Sequence, residues 1–152
     1  MAAPDSAALS PGSIVFCYGT LLFPEVMQLG AGAGLVGRPA FVENWARYRV
    51  RGEVFPALIA QNGARTPGAV FTGVDPAALA RLDDFEGPLY VRRTLEVERE
   101  DGVRLGAQAW VLAPGREAEL TREPWDVVDF AARELRGYLA RIRVRGTPYA
   151  AG

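Results

Sequence analysis

Apolar and polar residues along the chain follow two rhythms, and each predicts a different element. Ile14-Val15-Phe16-Cys17-Tyr18 is an almost unbroken apolar run and reads as a first strand. From Gly37 to Val50 the pattern is strand-like. Phe41, Glu43, Trp45, Arg47 and Arg49 share one face, and Val42, Asn44, Ala46, Tyr48 and Val50 share the other. Val54–Ala60 and Ala69–Val74 read as further short strands, with Asn62-Gly63 as a turn signal between them. Tyr90–Arg99 and Val103–Ala113 flank Asp101-Gly102, a pair that tolerates positive φ, so these two runs are expected to pair antiparallel. Helical signals occur three times. Pro24–Leu29 opens on a proline. Asp75–Pro88 has legible ends: Asp75 as N-cap, Pro76 as first helical residue, Gly87-Pro88 as the stop. From Trp125 or Asp126 to Val144 one long helix is expected. Val128, Ala131, Leu135, Tyr138, Leu139 and Ile142 form its stripe, Asp126 caps it, and Arg141, Arg143 and Arg145 suit its C-terminal dipole.

About six strands with two or three helices predict an α+β domain: a mixed, largely antiparallel sheet, curled into a small barrel. Residues 1–12, with Pro4 and Pro11, read as a loose N-terminal tail, 13–146 as a single domain and 147–152 as a C-terminal tail. A chain of 152 residues that is 49% hydrophobic suffices for one sizeable core.

Composition narrows the chemistry. The formal charge of −1 gives no bulk attraction to nucleic acid or an anionic membrane. No apolar run approaches a membrane span. There is no His, which removes His-based triads, His metal sites and a His base. The single Cys, Cys17, forms no internal disulfide; with no recognisable signal peptide, a reducing cytoplasm is the expected setting. Chemistry is left to carboxylates, Tyr, Ser/Thr, Arg, Cys17 and the backbone. Arg47, Arg49 and Arg51 form a basic ladder, either a solvated face or a place for a substrate carboxylate. The Gly30–Gly34 run lacks the strand-to-helix setting of a dinucleotide loop.

The helix after Asp75 holds the informative carboxylate. At roughly 100° per residue, Leu79, Leu82 and Phe85 define its apolar face and Glu86 lies about 40° from the middle of that face. Asp83 falls at the margin and Asp84 nearly opposite, both expected in solvent. Burial and the helix C-terminus both raise the pKa of an inward Glu86 and suit it to acid/base work; a frayed end would release it to water. Upstream, Tyr18-Gly19-Thr20 follows the first strand. It is an ordinary tight turn or a nest of backbone N–H groups for an anion.

Tyr18-Gly19-Thr20-Leu21, then Leu82-Asp83-Asp84-Phe85-Glu86-Gly87 with Tyr90-x-Arg92-Arg93, resembles the gamma-glutamylcyclotransferase-like (AIG2-like) family. The resemblance covers roughly residues 14 to 113; the two motifs in this order are specific together and weak apart. It implies a small β-barrel flanked by helices. It also implies cyclisation of a gamma-glutamyl group on its own amine, releasing 5-oxoproline and an amine or amino acid. Neither metal nor organic cofactor is implied. Residue by residue, Glu86 matches the catalytic carboxylate, and Tyr18, Gly19, Thr20 and Leu21 match the loop that holds the glutamyl group. Tyr90 matches an aromatic substrate-side position. A substrate contact from Arg47, Arg49 or Arg92 lies outside the motifs and is not implied by the resemblance. Asn44-Trp45 and Phe55-Pro56-Ala57 depart from the family's usual aromatic-Gly choices, which leaves the substrate open. The expected partner is a small gamma-glutamyl molecule. The alternative is a non-catalytic binding module retaining the pocket, with Glu86 as a plain anion for an amine. Cys17 as nucleophile has no His to activate it and fits better as a buried strand residue, as Trp125 and Tyr138 fit the core.

Overall fold

The computed structural model describes residues 12–149. Of the expected N-terminal tail, residues 1–11 lie outside the described residues, as do 150–152. Six strands and four helices follow in the order β1 (Ser13–Cys17), α1 (Pro24–Ala31), β2 (Gly37–Val50), β3 (Pro56–Val74), α2 (Pro76–Glu86), β4 (Tyr90–Arg99), β5 (Arg104–Leu112), β6 (Leu120–Pro124), α3 (Val127–Arg133) and α4 (Leu135–Arg145). Short 3-10 turns occupy Thr20–Leu22 and Glu117–Glu119.

The sheet runs β3-β1-β5-β4-β2-β6, and β2 also pairs with β3, so five strands close a barrel and β6 hangs on β2. One pair, β1 with β5, is parallel; the rest are antiparallel. This is the mixed, largely antiparallel α+β barrel that the pattern predicts. Alternation along β1 splits the core. Phe16 and Tyr18 join Val42, Leu58, Val70, Leu95, Val97, Ala109 and Val111, a cluster drawn from the barrel segments. Val15 and Cys17 turn the other way, to Leu21, Met27, Leu82, Phe85, Phe130 and Tyr138, between barrel and helices. The β4–β5 hairpin pairs Tyr90 with Leu112 through Glu98 with Arg104, and Gly102 takes φ +86° at its tip.

Three expectations are corrected. From Pro56 on, the Val54–Ala60 run belongs with Ala69–Val74 to one strand, β3, and Asn62-Gly63 makes a bulge within it. The pairing jumps from Glu43–Arg65 to Trp45–Ala60. Asn44 (φ +67°) faces Gly63 (φ +85°) there, and its Oδ1 accepts the Gly63 N–H at 3.0 Å. The positive φ that reads as a turn therefore bends a strand instead. The expected C-terminal helix is two helices broken at Glu134 (φ −117°). Phe130 is buried while Val128 is 71% exposed. In a straight helix Phe130 would sit about 80° around from Tyr138; the break lets both reach the core. Asp126 caps α3 as expected, accepting from Asp129 N at 2.8 Å. Asp83 is the third correction and belongs to the site.

Candidate functional site

Helix α2 brings Glu86 to the site through its caps. Asp75 accepts from Ala78 N at 2.8 Å, Pro76 opens the helix, and Gly87 closes it with φ +77°. Leu82 and Phe85 are buried against the barrel and α1, as the wheel predicts. The helix holds through Glu86, so the carboxylate is carried inward and does not fray. On the opposite wall, β1 ends at Cys17 and the chain passes through Gly19 into the Thr20–Leu22 turn.

All six residues that the sequence marks out line one cavity: Tyr18, Gly19, Thr20, Leu21, Glu86 and Tyr90. The cavity is narrow: about 20 Å³ is open to the centre of a water molecule, room for about one water. Its empty volume is about 400 Å³ once the open mouth is included. Among the described lining residues Glu86 is the one carboxylate, and no hydrogen bond or ion pair holds it. Its surroundings strip water from the charged form, and Asp83 adds like charge from the preceding turn. Together they push its pKa from 4.5 up to about 8. The phenol groups are pushed up too, by burial first and then by Glu86 for Tyr18, so they stay protonated.

Those phenols are fixed to the frame. Tyr18 donates to the Trp110 carbonyl at 2.6 Å, and Tyr90 donates to the Pro56 carbonyl at 2.7 Å. The Gly19 carbonyl accepts from Leu22 N at 3.0 Å and the Thr20 carbonyl from Phe23 N at 3.1 Å. The N–H groups of Gly19, Thr20 and Leu21 have no acceptor among the described residues. The site thus joins a carboxylate that changes charge near neutral pH to a short row of backbone donors. That combination can take a proton and hold an acceptor oxygen.

A match along most of the chain decides the kinship: residues 15–127 fit the family described as gamma-glutamyl cyclotransferase, AIG2-like. The chain belongs to the AIG2-like gamma-glutamyl cyclotransferase family. Protein AIG2 C of Arabidopsis thaliana is 33% identical over 119 residues, which are 75% of this chain and 72% of that protein. Among solved structures, an Arabidopsis thaliana protein determined in solution superimposes with a TM-score of 0.64 at 25% identity, over 88% of this chain and 81% of that one. A protein titled gamma-glutamyl cyclotransferase does so with a TM-score of 0.62 at 14% identity, over 86% of each chain, which bears on the fold alone.

Within this AIG2-like frame several residues escape a sequence reading. Asp83, expected in solvent, accepts the Trp110 indole N–H at 2.9 Å and lies 3.6 Å from the Arg92 guanidinium. Tyr138 is buried, as a core residue should be, but it also lines the cavity, and its hydroxyl lies 3.0 Å from Thr20 Oγ1. The available signal was a phenol on an otherwise apolar stripe, since a buried Tyr needs a partner. Phe55, Pro56, Trp110 and Pro148 complete much of the wall, and nothing local in the sequence marks Trp110 or Pro148. Trp125 is core, with its indole N–H on the Val54 carbonyl at 2.8 Å. None of Arg47, Arg49 and Arg92 lines the cavity. Arg49 donates to the Glu53 carbonyl at 2.9 Å, and Arg47 to the Tyr18 carbonyl at 2.8 Å.

Proposed function

We propose that this protein is a gamma-glutamyl or gamma-glutamylamine cyclotransferase with Glu86 as its general acid and base. The observation that carries the reading is the shared cavity of Glu86, at a pKa of about 8, and the Gly19–Leu21 donors. The substrate's α-ammonium gives a proton to the Glu86 carboxylate. The freed amine attacks the gamma-carbonyl carbon, forming the ring amide. The bond from that carbon to the leaving nitrogen breaks as Glu86 returns the proton to that nitrogen; the Glu86 carboxylate then takes the surplus proton from the ring nitrogen and passes it to the released amine, which departs as an ammonium. One carboxylate serves both steps because its pKa lies near the working pH. Ring closure is intramolecular, so the remaining task is to hold the glutamyl chain folded. The backbone donors at Gly19, Thr20 and Leu21 take its acceptor oxygens, Tyr18 and Tyr90 wall it in, and the leaving group extends into the mouth.

The test is a panel of gamma-glutamyl amines, gamma-glutamyl amino acids and glutathione, assayed for 5-oxoproline. Release from any member is the expected result. Binding without release across the panel would establish the module reading instead.

Two side predictions follow from the wall. Asp83→Asn keeps an acceptor for the Trp110 indole but removes the like charge beside Glu86. Its pKa falls, and the rising limb of the pH–kcat/KM profile moves to lower pH. An unmoved limb would mean that desolvation alone sets the Glu86 pKa. Cys17 also faces the cavity, but burial first and Glu86 second push its thiol up, away from the thiolate. Cys17→Ala therefore releases 5-oxoproline at within about twofold of the parent rate, because the step never uses the sulfur.

A further inference from the structure

Arg47 is a half-buried cation on β2, across from Leu58 of β3. No carboxylate among the described residues forms an ion pair with it. Its guanidinium lies 5.2 Å from the Trp125 ring centroid, and Nη1 donates to two backbone carbonyls, Tyr18 at 2.8 Å and Pro67 at 3.4 Å. Its neighbours on the ladder behave differently. Arg49 reaches Glu134, and Arg51 reaches the Ala118 carbonyl at the far end of the strand. Among the described residues, the contact with Tyr18 is the one hydrogen bond from the ladder to the site loop.

The geometry points to Arg47 as a positioning residue that aims the Gly19 N–H into the cavity by holding the carbonyl on the other side of the same peptide. The inference rests on the cyclotransferase reading for its kinetic consequence. A trans peptide directs its C=O and the following N–H in opposite directions, and the described residues contain no cis bond. Arg47 does not line the cavity, whereas Gly19 does. A Tyr18 carbonyl pulled to Arg47 is thus pulled away from the cavity, and the Gly19 N–H is turned toward it. Gly19 takes φ −131° and ψ −133° where the chain leaves β1. A Cβ there would meet Pro56 Cγ at 2.9 Å. A charged donor on the carbonyl also polarises the peptide, which makes its N–H a stronger donor to a substrate oxygen.

The experiment compares wild type, Arg47→Met and Arg47→Lys by three readouts. In the ligand-free protein, the ¹⁵N–¹H resonance of Gly19 should move in Arg47→Met and return toward wild type in Arg47→Lys. With a gamma-glutamyl substrate, KM should rise about tenfold in Arg47→Met, the size of one hydrogen bond, with kcat within about twofold. The Glu86 limb of the pH profile should stay in place, and Arg47→Lys should recover most of the KM. A Gly19 resonance and a KM both unchanged in Arg47→Met would overturn the inference, as would a fall in melting temperature with no change in either. Should Arg47→Met not fold, Arg47→Gln carries the same readouts. Absence of turnover by the wild type would sink the cyclotransferase reading alone, since the ligand-free Gly19 resonance still decides whether Arg47 sets that peptide.

Discussion

Glu86→Gln is expected to fold like the parent and to release 5-oxoproline about a thousandfold more slowly. Gln keeps the shape and a carbonyl oxygen but can neither take the ammonium proton nor return one to the leaving amine. Continuous 5-oxoproline assay of both proteins checks this, and turnover near the parent rate would end the role given to Glu86. The same variant has a stability signature with a definite sign. The folded pKa of Glu86, about 8, lies above its ordinary 4.5. The folded state therefore holds its proton more tightly than the unfolded chain does. Its contribution to stability is fully present below about pH 4.5 and is lost as the pH climbs through about 8. Gln has nothing to lose over that window. The two proteins should unfold at similar denaturant concentrations at low pH, and the variant should become the more stable of the two toward pH 9. Parallel curves across the window would mean that the carboxylate is not desolvated in the folded state.

Gly87→Ala is expected to destabilise the helix end that carries Glu86. Gly87 ends α2 with φ +77° and ψ −170°, a region that L side chains avoid. The strain costs about 1–3 kcal/mol. A Cβ would also clash with the ring edge of Tyr149, whose hydroxyl donates to the Asp84 carbonyl. At this chain length each kcal/mol lowers the melting temperature by about 2–4 °C. Activity falls as well, because Glu86 is the preceding residue and the chain cannot keep both the helix end and the Tyr149 contact. Calorimetry of Gly87→Ala and of the double variant with Tyr149→Ala separates the causes. Removing the ring relieves the clash and leaves the backbone strain, so the double variant should recover only part of the loss. A single variant that melts with the parent would contradict the positive-φ helix end.

Much of the site was legible because its signals are local. The caps of α2 fix where that helix starts and stops, and a wheel then places Glu86 beside Leu82 and Phe85. The Asp101-Gly102 turn sets the β4–β5 register in the same way. What escaped depends on partners far along the chain. Asp83 reads as a solvated acid until Trp110 arrives from β5. Tyr138 reads as core until Thr20 meets it across 118 residues. Asn62-Gly63 reads as a turn because a positive φ looks alike in a turn and in a bulge; Asn44 across the pair decides between them.

The sequence by itself determined the α+β class, most of the element boundaries, the inward Glu86 and the two motifs that carry the family. These rest on hydrophobic period, capping chemistry and glycine positions, which act within a few residues of one another. Tertiary structure alone decided that the barrel closes through the parallel β1–β5 pair and that α3 and α4 break apart at Glu134. It also brought the Tyr18–Leu21 loop, Glu86, Trp110, Tyr138 and Pro148 to one cavity. It set the Glu86 pKa as well, since desolvation depends on what the whole fold packs around a carboxylate and no neighbour in sequence can supply it.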